Sequence, residues 1–173
     1  MNEKTWKSIG LCLFFACFSC VLGPYSLSCV SGALLVALFS GAMQAPGFAF
    51  VSGALYLVIG LFAPVLPDWN HGMTSGFGPL FSGAGGMLLA LPLTAFVVSL
   101  LQRLIKKPYL NLLAGLGAGF IAFFGSGLLW FVIRSGAPDL RSIGTALLLY
   151  LFDAMVVFAA RFLQIRFGKR HAK

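Results

Sequence analysis

The feature that most constrains this chain is a series of six long apolar runs with almost no charge inside them. They cover about residues 8–23, 29–43, 48–66, 83–104, 110–133 and 143–167. Of the 173 residues, 60% are hydrophobic and 9% are charged, whereas a water-facing surface draws on roughly 25% charged residues. A helix that crosses a bilayer needs ~20 apolar residues and satisfies its own backbone polar groups on the way. The sequence therefore predicts an all-α, polytopic membrane protein: a bundle of six transmembrane helices in a single integral membrane domain over residues 1–173. The second run is short for a span, so it is expected to tilt little or to be partly buried. No alternating apolar–polar pattern recurs, which argues against a β-barrel.

Charge sets the orientation. The chain carries 12 Lys+Arg against 4 Asp+Glu, a formal charge of +8. In a soluble protein that excess would suggest nucleic acid, but here the basic residues flank apolar runs. Lys4 and Lys7 precede the first run, Arg103, Lys106 and Lys107 separate the fourth and fifth, and Arg161, Arg166, Lys169, Arg170 and Lys173 close the chain. With six spans and a cytoplasmic N-terminus, all ten fall inside and only Arg134 and Arg141 fall outside. Both termini are therefore expected in the cytoplasm. Trp6 and Tyr109 would lie at the inner interface, and Tyr25 and Trp130 at the outer. The N-terminus resembles a signal peptide, but the spans that follow favour an uncleaved first helix.

One connection stands out. Residues 63–82, APVLPDWNHGMTSGFGPLFS, lie outside on this topology. Loops of ~20 residues are uncommon in compact proteins and often act as lids or binding loops. A plain extracellular connection is the alternative.

Small residues recur at helical spacing: Cys12, Ala16 and Cys20; Ala33, Ala37 and Gly41; Gly115 and Gly119. Such faces let helix backbones approach closely, within the chain or against another subunit. Cys17 and Cys20 form a C-x-x-C inside an apolar run, where small apolar packing is the better reading. The fourth run opens with Gly83-Ala84-Gly85-Gly86-Met87. Glycines there either admit a ligand to the backbone or pack helices tightly.

Asp153 is the most informative single residue. It lies about ten residues from the outer end of the sixth run, roughly 15 Å deep. A carboxylate there costs at least ~2.5 kcal/mol to insert. It must face the bundle interior and find a partner. Leu149 and Val156, one turn away, supply no cation. The partner is Tyr150, a group on another helix, or a bound ligand, and the role is ligand binding, transport or a buried structural acid. Arg161 lies close enough to the inner end to snorkel. No Walker A, H-E-x-x-H or G-x-S-x-G pattern occurs, so the chain is not expected to be an enzyme or to use ATP itself. No metal or cofactor is expected.

Taken in order, these features resemble the BioY family, the biotin-binding substrate-specificity (S) subunits of energy-coupling-factor transporters. The resemblance is strongest over about residues 31–167. Tyr56-Leu57-Val58-Ile59-Gly60, followed by Pro64-Val65, resembles the family's Tyr-Leu-x-x-Gly…Pro-Val segment. Residues 82–93, SGAGGMLLALPL, resemble its Gly-Pro-Thr-Gly-Gly-Tyr-Leu-x-Gly-Phe signature, and Asp153 matches the acid of its Pro-Gly-Asp-x-x-Lys motif. Met87 stands where the family has an aromatic, Ser82 and Ala84 replace Gly and Thr or Ser, and Tyr150-Leu151-Phe152 replaces the Pro-Gly approach. Val156 stands in place of the family Lys, which removes a cation and a donor.

The resemblance implies a membrane subunit of the cell membrane that binds a vitamin, biotin, from outside. It implies as partners a coupling transmembrane subunit and a pair of cytoplasmic ATPases. The candidate ligand-binding residues are Asp153, Gly83, Gly85, Gly86, Met87, Tyr56 and Tyr150, under cover of residues 63–82. Cys12, Ala16 and Cys20 would face the coupling subunit. The same architecture carrying another small nutrient, or a non-transporting assembly subunit, are the alternatives.

Overall fold

The computed structural model describes residues 3–22, 26–27, 30–68, 72–81, 85–105, 107–135 and 140–168. Among them are seven helices: α1 (Glu3–Leu22), α2 (Gly32–Met43), α3 (Pro46–Phe62), α4 (Gly78–Phe81), α5 (Gly85–Leu104), α6 (Pro108–Ser135) and α7 (Leu140–Gly168). Four are long and apolar enough to cross a membrane, over Thr5–Leu22, Gly85–Leu104, Tyr109–Ile133 and Ile143–Arg166. The second and third apolar runs form the shorter helices α2 and α3, of 12 and 17 residues. At ~1.5 Å per residue α2 is only ~18 Å long, well short of a ~30 Å hydrocarbon core.

The shortest of these apolar helices is the most enclosed. Nine of the 12 residues of α2 are buried, and α2 packs against α1, α3, α5 and α7. Its small residues explain how. A Cβ on Gly41 would lie 2.7 Å from the Ala95 carbonyl oxygen of α5, so only glycine lets the two backbones come this close. On α3, a Cβ on Gly53 would lie 2.9 Å from Cα of Pro92. Pro92 sits inside α5, where its missing N–H is tolerated because neighbouring helices close over the break. The stripes Ala33/Ala37/Gly41 and Gly115/Gly119 are therefore internal packing faces.

The Cys12/Ala16/Cys20 face is also turned inward. Cys12 and Ala16 are 4% and 1% exposed, and the Cys12 thiol donates to the Phe48 carbonyl oxygen of α3 at 3.6 Å. Cys20 packs against the core, while Cys17 is exposed. The side of α1 left uncovered carries Leu13, Phe14, Phe18 and Val21 instead. In this fold α3 occupies the place assigned to a docking subunit, because the small side chains of α1 let α3 approach.

A polar network ties α2, α3 and α5 together. The Ser40 hydroxyl lies 2.7 Å from that of Ser52, which donates to the Ala49 carbonyl oxygen at 2.9 Å. Gln44 Nε2 donates to Ser40 Oγ at 3.2 Å, and Ser99 Oγ donates to the Gln44 carbonyl oxygen at 2.6 Å. Buried hydroxyls need such partners, and a membrane interior offers no water in their place.

Residues 63–82 are more structured than a plain loop. Strand β3 (Leu66–Asp68) pairs antiparallel with β4 (Gly72–Thr74), and α4 follows. A second hairpin, β1 (Ser26–Leu27) with β2 (Val30–Ser31), joins α1 to α2. Both correct the purely helical expectation. Pro and Gly interrupt helix formation here, and paired strands satisfy the backbone groups instead.

Candidate functional site

Asp153 is 0% exposed on α7. Its Oδ2 accepts a hydrogen bond from the Ser31 backbone N–H at 3.3 Å. Its Oδ1 has no hydrogen-bond partner. Ser31 is the N-cap of α2 and makes no side-chain cap hydrogen bond there. The carboxyl thus meets the N-terminal end of a helix, where unpaired N–H groups and the helix dipole favour negative charge. This supplies a physical reason for a mid-span acid with no cation one turn away. A buried acceptor left unmatched is costly, so the free oxygen is the feature of this site that calls for a donor.

Tyr150 is not the partner of Asp153. Its ring is 2% exposed and packs against Phe120, Phe123 and Phe124 of α6, with centroids 5.2, 5.8 and 6.2 Å away. Its hydroxyl donates to the Leu116 carbonyl oxygen at 2.7 Å. Gly119 makes the approach possible, because a Cβ there would lie 2.9 Å from the Tyr150 oxygen. Tyr150 therefore joins α7 to α6, one turn before the acid.

Tyr56, at 1% exposure, donates its hydroxyl to the Val65 carbonyl oxygen at 3.0 Å. Gly85, at the start of α5, packs against the backbone of Leu80 in α4. Gly86 packs against Trp130 and lies close to the Ser126 carbonyl oxygen, and Met87 lies against Gly127, all on α6. Gly86 also lines a groove of about 210 Å³ with Leu89, Ser126, Leu129, Trp130 and Ile133. The groove is formed by α5 and α6 alone, and Leu129 and Ile133 are 64% and 72% exposed. Gly83 lies outside the described residues, as do Tyr25 and Cys29.

The candidate residues thus form three groups. Asp153 and Tyr150 lie on α7, the first beside the start of α2 and the second against α6. Tyr56 holds the segment that follows α3. Gly85, Gly86 and Met87 pack the start of α5 against α4 and α6. Sequence reasoning missed Ser31, the one group that contacts the acid. A Ser immediately before an apolar helix is a local signal for a helix start, but it does not reveal which distant side chain meets it. It also missed the Ser40–Gln44–Ser52–Ser99 network, whose hydroxyls have no periodic signature.

Comparison with known proteins agrees with this architecture. The crystal structure at 2.1 Å of the S-component for biotin from an ECF-type ABC transporter superposes with a TM-score of 0.74 at 21% identity, covering 98% of this chain and 94% of that one. The probable biotin transporter BioY of Bacillus subtilis (strain 168) is 34% identical over 71 residues, which is 40% of this chain. That match spans only 36% of the Bacillus protein's length. The sequence model of the BioY family matches residues 1–172. With nearly its whole length inside that match, this multi-pass membrane chain belongs to the BioY family.

Proposed function

We propose that the protein is the substrate-binding membrane subunit of an energy-coupling-factor transporter, and that it captures biotin. The observation that carries the reading is the Asp153 carboxyl, wholly buried within a membrane-crossing helix and with Oδ1 unpartnered. An acid kept there at this cost and left half-satisfied suits a ligand that brings an N–H donor. In this reading the chain is one integral membrane domain of six membrane-embedded helices with both termini in the cytoplasm. Asp153 accepts from the ligand, and the segment around Gly83, Gly85, Gly86 and Met87 borders the site. The protein works with a coupling membrane subunit and a pair of cytoplasmic ATPases. α1 would meet that subunit through its uncovered side as well as through any part of the Cys12/Ala16/Cys20 face that opens.

One observation favours a second ligand on the same architecture. Val156, one turn after Asp153, is 37% exposed and offers neither charge nor donor. Calorimetric titration of the purified protein with biotin tests the first reading. Saturable heat at micromolar biotin supports it, and a folded protein that gives none removes biotin as the ligand. A thermal-shift screen of small uncharged or zwitterionic nutrients then tests the second.

A further inference from the structure

The 63–81 segment carries four attachments that the ligand-binding reading does not use. The Tyr56 hydroxyl holds the Val65 carbonyl oxygen at 3.0 Å. The Gly76 N–H donates to the Gly60 carbonyl oxygen at 3.2 Å. Leu66, 0% exposed, seats directly over Gly60, in the space a Cβ there would need. At the far end, Leu80 rests its backbone on Gly85, and the Phe81 ring lies 6.4 Å from that of Trp130. Residues Val65, Leu66, Gly76, Leu80 and Phe81 are thus fastened to α3, α5 and α6.

We propose that Tyr56 and Gly60 are positioning residues that hold the 63–81 segment as a pre-folded cover, so that this segment keeps one shape with and without ligand. The inference rests on the outward-facing capture of ligand proposed above. The physical argument is in the two contacts on α3. The Tyr56 ring is buried, so its hydroxyl has no water to turn to, and Val65 is the partner it uses. Gly60 accepts from Gly76 with its carbonyl and makes room for Leu66 with its missing side chain. One turn of α3 therefore grips both strands' flanks, before β3 and after β4, and fixes the hairpin between them. Tyr56 acts on a ligand through this segment rather than by touching it.

The test uses the full chain in lipid nanodiscs, with amide hydrogen exchange over residues 65–76 and the kinetics of labelled biotin. Tyr56→Phe keeps the ring and deletes the donor. Exchange in that segment should rise about five-fold, and biotin should dissociate about five-fold faster with an unchanged association rate, as loss of one net hydrogen bond requires. A merely structural role would instead lower the fraction of active protein and leave the rates alone. Gly60→Ala should displace Leu66 and act in the same direction, and adding Leu66→Ala should bring the protein back toward wild type. Phe62→Ala, at a side chain 87% exposed, should change nothing. Wild-type exchange and dissociation in Tyr56→Phe would overturn the proposal. Should wild-type protein not bind biotin, the capture reading falls, and the exchange data alone decide whether Tyr56 and Gly60 hold the segment.

Discussion

The Ser31 backbone N–H donates to Oδ2 of Asp153 at 3.3 Å, across 122 positions of sequence. This contact joins the hairpin before α2 to the middle of α7. It leaves the other carboxylate oxygen buried without a partner. The acid is therefore held in place by the protein and still has one acceptor to offer.

Asp153→Asn preserves the shape of that side chain while removing its charge. Binding of biotin should weaken by about ten-fold or more, because a charge-assisted hydrogen bond is worth ~1.5–3 kcal/mol. Calorimetric titration of the variant against wild type measures it. An unchanged affinity in a folded variant would make the acid purely structural.

Tyr150→Phe deletes the donor to the Leu116 carbonyl oxygen and leaves the aromatic cluster with Phe120, Phe123 and Phe124 in place. Interhelical hydrogen bonds in membranes average ~0.6 kcal/mol and reach ~1.7. The variant should lose stability by about that amount. Gly119→Ala, which pushes a methyl toward both Tyr150 and Val98, should cost ~1–3 kcal/mol as an overpacked site. Unfolding in mixed micelles by denaturing detergent ranks the two, and the glycine change should be the worse.

Ser99→Ala removes the 2.6 Å hydrogen bond to the Gln44 carbonyl oxygen where α2 meets α5. Ser52→Ala breaks the same network on α3. Each alone should destabilise by ~1 kcal/mol. The double variant should cost less than the sum, because linked groups share one arrangement. Additive losses would show the two hydroxyls to be independent.

Gly53→Leu tests the approach of α3 to α5. A Cβ already falls within 2.9 Å of Pro92 Cα, so a larger side chain should separate the helices and abolish recovery of folded protein. Gly47→Leu, on the same helix with nothing within 4 Å of its Cβ position, should be recovered at normal yield.

Orientation is open to direct measurement. Fusions of a cytoplasm-active fluorescent protein to either end should both fluoresce, and periplasmic-type phosphatase fusions there should stay inactive. An active phosphatase at the C-terminus would remove an odd number of spans from the proposed six.

Local chemistry was enough to determine the helices. Five of the six apolar runs, all but the third, end within about five residues of the helix they become, and α6 and α7 extend their runs by only a few residues at each end. A bilayer makes this possible, because a segment without water must satisfy its own backbone, and apolar length alone selects it. The small-residue stripes on α2 and α6 were legible for a related reason, since close helix packing leaves a mark at every fourth position. The choice of partner was not legible. Nothing within a few residues of Asp153 indicates that Ser31 meets it, that Tyr150 turns to Leu116, or that Cys12 and Ala16 face α3. Nor does local sequence show that Tyr56 reaches across to Val65, or that the shortest apolar helix lies at the centre. Those pairings depend on which helices lie side by side, and only the packed bundle, which balances close contact against unsatisfied polar groups over the whole chain, decides that.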